Sequence, residues 1–371
     1  MLERLHRHLL GIEGLERGEI LRILDRARVL RQAFAAGRLG TPLAGRSLIT
    51  LFYESSTRTR ASFEVAAQRL GAQVVSIASS SSSVSKGESL WDTGRTLAAM
   101  EPAVIVVRHA SAGSSLLLAR AVERVSPLPA VINAGDGAHE HPTQALLDTL
   151  TLTDRLGSLE GRTIAIIGDI EHSRVARSNL FLLPKLGARV LLAGPRSLVP
   201  PTLAVFGPSV EIVRDVDAAI ERADAIMMLR VQFERLQGPP PFPSLGDYAR
   251  TYGLTMQRVL RMKPEAFVMH PGPMNRGIEI DHEVADGPTS VVAHQVTNGI
   301  AARMAVLERA VGAGPWATHD EHGHTLPAPP PVPPATGPGT GSATATGPGT
   351  APRGHAPSIE PAALAARREP A

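Results

Sequence analysis

Short apolar runs alternate with stretches of helical period along most of this chain, and that rhythm predicts its elements. Leu15, Ile20, Ile23, Leu24, Ala27 and Leu30 recur at helical spacing over 15–36, and the pattern stops at Gly37. Ser47–Tyr53 reads as a buried strand, and Ala61–Gly71 as a helix stopped by its glycine. Val74–Ile77, Ala103–Val107 and Ala130–Asn133 read as further strands, with helices over Trp91–Met100 and Ser114–Val125 between them. Strand–helix–strand order of this kind predicts a parallel sheet covered by helices on both faces.

A long helical pattern from Thr143 to Leu156 follows, and then the rhythm restarts. Strands are expected at Thr163–Ile167, Val190–Leu192, Glu211–Val213, Ala225–Leu229 and Phe267–Met269, with a closing helix over 295–311. The prediction is an α/β protein of two similar domains, each a parallel β-sheet flanked by helices, with a cleft between them. The first domain is expected over 1–142, completed by the closing helix, and the second over 143–294. From Gly312 onward Pro, Gly, Thr and Ala dominate, including Gly-Pro-Gly-Thr at 337–340 and again at 347–350. Residues 312–371 are therefore expected to be a disordered tail. Its His319, His322 and His324 form no cage for a metal and read as solvated.

Composition adds exclusions. The 371 residues leave room for two cores, 43% hydrophobic content is ordinary, and a net charge of +3 gives no argument for nucleic acid. Lysine occurs only at 86, 185 and 263, so the cationic groups are almost all arginine, the better bidentate ligand for anions. Without cysteine there are no disulfides, thiol nucleophiles or thiolate metal sites. Neither a membrane span nor a signal-peptide core is visible, so a soluble cytoplasmic protein is expected.

Candidate chemistry collects just past the strands, where ligands bind in open parallel sheets. Ser56-Thr57-Arg58-Thr59-Arg60 lies between a strand and a helix. Unpaired N–H groups and the helix dipole favour an anion there, phosphate above all. A plain cap needs one hydroxyl, without arginines interleaved. Arg108 follows one strand, Arg174 lies just past another, and Arg230 ends a third, with Gln232 two residues on and facing the same way. Singly, each arginine is an ordinary surface or ion-pair residue. Together with Arg58 they suit a cleft for two anionic groups, one phosphate and carboxylates.

In His139-Glu140-His141-Pro142-Thr143-Gln144 the histidines lack a third metal ligand nearby, so no metal is expected. A neutral His141 donating to a polarised oxygen, with Gln144 recognising an amide, is the better chemical use; a capping histidine is the plain alternative. His270-Pro271-Gly272-Pro273 fixes a loop whose carbonyls are free to accept hydrogen bonds. Ser82, Lys86 and Glu88 occupy a serine-rich loop too polar for burial in its own domain, and a solvated loop is the plain reading. No G-x-G-x-x-G follows a strand, and neither G-x-x-x-x-G-K-[ST] nor a nucleophile elbow occurs, so no cofactor is expected.

With these motifs in order, the chain resembles the aspartate/ornithine carbamoyltransferase family from the N-terminal helix to about residue 311. Ser56–Arg60, His141–Gln144 and His270–Pro273 are similar to its three signatures, with Arg108 between the first two. The resemblance implies that Ser56, Thr57, Arg58 and Thr59 hold the phosphate of carbamoyl phosphate. Thr57, Arg108 and His141 would polarise the carbamoyl oxygen. Gln144 and the loop carbonyls around Pro271 and Gly272, a loop closed by Pro273, would bind the carbamoyl amide. Arg174, Arg230 and Gln232 would bind aspartate carboxylates. Ser82 and Lys86 would reach in from a neighbouring subunit of a homotrimer, Lys86 as part of the catalytic set.

Within the family the aspartate branch fits better than the ornithine branch. The third motif is His-Pro-Gly-Pro, cysteine is absent, and Arg230-Val231-Gln232 matches the aspartate pattern. The implied reaction converts carbamoyl phosphate and L-aspartate to N-carbamoyl-L-aspartate and phosphate, the committed step of pyrimidine synthesis. Ornithine transfer and a catalytically silent scaffold subunit are the alternatives, although a scaffold would show losses in the motifs. A generic phosphate-binding module leaves the second set of arginines unexplained. A regulatory chain or a dihydroorotase is a possible partner. Two departures bear on aspartate affinity: Phe233 replaces a basic residue, and the following lid loop, Gly238–Pro243, is unusually rich in proline.

Overall fold

The computed structural model describes residues 7–78, 87–235 and 242–316. Ser82, Lys86, most of the proline-rich segment and the tail from 317 lie outside the described residues. The first half contains α1 (Arg17–Ala35), β1 (Ser47–Phe52), α2 (Thr57–Arg69), β2 (Gln73–Ala78), α3 (Leu90–Ala98), β3 (Val104–His109), α4 (Ser114–Glu123) and β4 (Ala130–Asp136). Helix α5 (Pro142–Leu156) leads into β5 (Thr163–Ile167), α6 (Arg174–Lys185), β6 (Arg189–Ala193), β7 (Val210–Ile212), α7 (Val216–Arg222) and β8 (Ala225–Met228). Then come α8 (Leu245–Tyr252), α9 (Met256–Val259), β9 (Phe267–Met269), α10 (His282–Ala285) and α11 (Val292–Val311).

The strands form two sheets, ordered β2-β1-β3-β4 and β7-β6-β5-β8-β9, and all pairings between strands are parallel. Runs such as Val104-Ile105-Val106-Val107 are buried along their whole length, as strands covered on both faces must be. Each sheet has one place where the strand order reverses, between β1 and β3 in the first and between β5 and β8 in the second. Loops diverge there and leave a crevice off the strand ends. Phe52 pairs with Arg108 at the first reversal, and Ile167 with Met228 at the second. Just past β5, Gly168 has φ +128°, and a Cβ there would run into the carbonyl oxygen of Leu229. Only glycine lets the two loops pass so closely.

Helix α11 packs on α1, α2 and α5, and its Ala301, Ala302, Ala305 and Leu307 are buried in the main core. The N-terminal segment is clamped to α6. Glu140 accepts from the Ile12 amide (2.7 Å) and from Ser178 Oγ (2.8 Å), while Lys185 Nζ donates to the carbonyls of Ile12 (2.9 Å) and Leu15 (2.7 Å). None of the helices among the described residues is long and apolar enough to cross a membrane.

Several boundaries differ from the sequence reading; β3 runs on to His109, so Arg108 lies within the strand rather than after it. Helix α2 begins at Thr57 rather than Ala61, so Thr57–Arg60 form its first turn instead of a preceding loop. Apolar periodicity marks only where a helix starts to bury a face, and a first turn that fronts a cleft leaves no such trace. The closing helix begins at Val292 for the same reason. Beyond it, Gly312 takes φ +66° as the cap, and Gly314–Trp316 add a 3₁₀ turn.

Candidate active site

One cleft of about 1020 Å³ is lined by Arg108 near the end of β3 and by residues that follow β1 and β4 of the first sheet and β5, β8 and β9 of the second. The start of α2 forms part of the lining. Ser56 is its N-cap, but the Ser56 side chain makes no capping bond, so neither hydroxyl nor first-turn N–H groups are spent on each other. Ser56, Thr57, Arg58 and Thr59 all line the cleft. Arg58 lies against Gly272, where φ is +65° and a Cβ would stand 2.9 Å from Arg58 Cζ. Burial and the nearby Arg230 lower the Arg58 pKa, though a guanidinium stays cationic at neutral pH.

Arg108 and His141 also line the cleft. Arg108 Nη1 donates to the Ala134 carbonyl (3.2 Å), and its Nε sits 3.4 Å from Glu54 Oε2. Burial first, and then Arg174, push its pKa down to about 9, with Glu54 opposing. His141 is the N-cap of α5, and Pro142 takes the first helical position. Its amide donates to Ser178 Oγ (2.9 Å), which fixes the backbone. The ring is buried, and Nδ1 has no hydrogen-bond partner among the described residues. Burial, then the charges of Arg108, Arg174 and Arg303, hold its pKa well below the ordinary histidine value. At neutral pH it is an uncharged imidazole with one N–H to give. Gln144, one turn on, lines the same wall and donates from Nε2 to Asp148 Oδ1 (2.9 Å).

The His270–Pro273 loop closes this side. His270 Nδ1 accepts from the Gly272 amide (2.8 Å), so Nε2 carries the proton and donates to Glu279 Oε1 (3.2 Å). Glu279 in turn accepts from the Asn275 amide (2.6 Å). His270 therefore shapes the loop, and Pro271, Gly272 and Pro273 line the cleft, the last after a cis peptide bond.

The second sheet supplies the rest of the lining. Arg174 opens α6, and its Nη2 donates to Glu54 Oε2 (2.6 Å). Arg230 Nη2 lies 3.4 Å from Gln232 Oε1, and the Gln232 amide donates to Asp169 Oδ2 (3.0 Å). All thirteen candidate site residues within the described chain thus line one cavity, whereas Arg60, Pro142 and Thr143 of the motifs do not. Sequence reasoning missed Glu54, Arg235, Arg303 and Asp148. Glu54 takes Arg174 and Arg108 from opposite walls, with Arg235 Nη2 3.9 Å away. Arg235 Nη1 also donates to the His172 carbonyl (2.7 Å). Arg303 Nη1 bonds Ser62 Oγ (3.0 Å) and the Gly299 carbonyl (3.0 Å), and its Cζ lies 5.1 Å from the Phe63 ring centroid. One signal was legible for Arg303: an arginine on the apolar face of a closing helix.

Electrostatically the lining is one-sided. Among the described residues six arginines (58, 108, 174, 230, 235 and 303) face the cavity against a single carboxylate, Glu54. That balance suits two small anions side by side. Among the described residues no group of three or more His, Cys, Asp or Glu side chains is placed to hold a metal ion.

Comparison with known proteins identifies the family. The model of the aspartate/ornithine carbamoyltransferase carbamoyl-P binding domain matches residues 7–154, and that of the Asp/Orn binding domain matches residues 160–310. The chain belongs to this family. The aspartate carbamoyltransferase catalytic subunit of Solibacter usitatus is 56% identical over 306 residues, covering 82% of this chain and 99% of that relative. Its counterpart from Rhodospirillum rubrum is 53% identical over 308 residues, covering 82% and 94%. Among solved structures, Trypanosoma cruzi aspartate transcarbamoylase with carbamoyl aspartate and phosphate matches with a TM-score of 0.72 at 33% identity, covering 81% of this chain and 95% of that one. Ornithine carbamoyltransferase from Pyrococcus furiosus matches at 0.70 and 28% identity, covering 83% and 97%. The two branches share the fold, so the choice between them rests on sequence identity and on the second set of arginines.

Proposed function

We propose that this chain transfers the carbamoyl group of carbamoyl phosphate to the amine of L-aspartate, releasing phosphate and N-carbamoyl-L-aspartate. The observation that carries the reading is that arginines from both sheets and a neutral imidazole line one cleft. Arg58 and the first turn of α2 suit the phosphate; Arg174, Arg230 and Gln232 suit a dicarboxylate. The aspartate amine attacks the carbamoyl carbon, negative charge develops on the carbamoyl oxygen, and the bond from carbon to the phosphate oxygen then breaks. Thr57, Arg108 and His141 donate to that oxygen as a preorganised set, each good donor contributing about 3–4 kcal/mol to the transition state. Arg58 offsets charge on the departing phosphate, which takes the amine proton. Gln144 and the Pro271–Pro273 loop hold the carbamoyl amide. Holding both anions in attacking geometry supplies much of the remaining acceleration.

Carbamoyl transfer assayed in parallel with aspartate and ornithine tests the reading. Turnover with aspartate is expected; turnover with ornithine alone overturns the choice of acceptor, and none with either overturns transfer. The reading extends to a homotrimer in which Ser82 and Lys86 complete a neighbour's site, and to a cytoplasmic setting in pyrimidine synthesis. Lys86→Ala and Arg58→Ala chains, inactive alone, should regain activity when mixed through hybrid sites. No recovery in verified mixed trimers would count against sharing.

A further inference from the structure

Asp148 is fully buried one turn beyond Gln144 on α5, and it joins three helices. Its Oδ1 accepts from Gln144 Nε2 (2.9 Å) and from Gln295 Nε2 of α11 (2.8 Å), while Oδ2 accepts from Asn179 Nδ2 of α6 (3.1 Å). Gln295 turns its other end to the substrate loop, Oε1 accepting from the His270 amide (2.9 Å). An ionised carboxylate accepts and never donates. Each glutamine must therefore turn its nitrogen toward Asp148 and its oxygen away. For Gln144, which lines the cleft, the group left to face a ligand is an acceptor. An amide free to rotate would present –NH₂ or C=O alike, and only C=O answers the –NH₂ of a carbamoyl group.

We propose that Asp148 is a positioning residue for carbamoyl selectivity, fixing the Gln144 amide with its oxygen toward the donor's –NH₂ and, through Gln295, anchoring the loop that accepts from the same –NH₂. This deepens the functional reading above and rests on it. Burial raises the Asp148 pKa to about 6, with the three amides and Arg303 opposing, so the carboxylate is ionised at neutral pH. The cluster brings three neutral donors to one buried charge, which is how such a charge is tolerated.

The test compares carbamoyl phosphate with acetyl phosphate, which replaces –NH₂ by –CH₃ and keeps the phosphate. With the full chain, KM for carbamoyl phosphate and the inhibition constants of acetyl phosphate and inorganic phosphate are measured for wild type, Asp148→Leu and Asp148→Asn. Leucine has similar volume but no oxygen. It should cut the preference for carbamoyl over acetyl phosphate about tenfold, the scale of one hydrogen bond between uncharged groups, and leave phosphate inhibition within about threefold. Asparagine can keep its oxygen on both glutamines while Asn179 turns over, so it should retain most of the preference. If the leucine chain does not fold, Asp148→Ser serves, because a hydroxyl donates as readily as it accepts and no longer forces Gln144; the same fall is expected.

Equal weakening of all three ligands, or an unchanged preference in a folded Leu or Ser variant, overturns the inference while leaving the transfer reading intact. A wild-type chain that carbamoylates neither amine sinks both.

Discussion

His141 shows how much of the chemistry is set by surroundings rather than residue type. Three arginines and complete burial keep it neutral, so it is a donor whose state does not change near pH 7. Its ring ¹⁵N shifts are expected to stay constant from pH 8 to 6; a titration centred near 6.5 would refute this. The sign for stability follows. Below about 6.5 the unfolded chain binds a proton that the native ring refuses, so this group's contribution is present above that pH and is lost as pH falls. Asp148, raised from 3.8 to about 6, works the other way, its native form taking up protons first. Comparing wild type with His141→Asn isolates the first effect: the urea midpoint of the variant should fall less steeply between pH 7 and 5. At Gly272, alanine would meet both a positive φ and Arg58 Cζ at 2.9 Å. Gly272→Ala should raise KM for carbamoyl phosphate about tenfold or more and KM for aspartate less, read from initial rates.

At the scale of elements, the site depends on two helix starts that do not cap themselves. Neither Ser56 of α2 nor His141 of α5 spends its side chain on its own helix, which leaves both for the cleft. By contrast Ser173, the N-cap of α6, does cap, accepting from the Ala176 amide (3.2 Å) directly before Arg174. Glu140 holds α5, α6 and the N-terminal segment in register through two backbone amides and Ser178. Glu140→Gln would point an –NH₂ at groups that themselves donate. It should lower stability by about 1–3 kcal/mol, measured by denaturant unfolding with an unchanged m-value. A shift below about 0.5 kcal/mol would show that the contacts reorganise freely.

At the scale of the whole molecule, Glu54 is the single carboxylate among six arginines that line the cleft among the described residues, and it ties the loop after β1 to Arg174 at the start of α6. Glu54→Gln removes the charge without removing the shape. It should lower kcat/KM for aspartate by ten- to hundredfold, about the worth of a charge-assisted hydrogen bond, while phosphate inhibition changes less. Equal losses for both ligands would mean that Glu54 acts on the phosphate end as well.

Alternating apolar runs and helical periods were enough to specify the parallel α/β architecture, because a strand buried on both faces must be apolar throughout. Ordered motifs and arginines at strand ends were enough to single out residues that line one cleft, since hydroxyls interleaved with arginines there have few structural uses. What the linear order does not carry is long-range proximity. Glu54 and Arg174 are 120 positions apart, and Asp148 and Gln295 are 147 apart. Whether a carboxylate is solvated or bridges two walls, and which way a glutamine amide turns, depend on neighbours that only folding supplies. Burial then sets the charge state of His141 and makes Asp148 an acceptor that no amide near it can ignore.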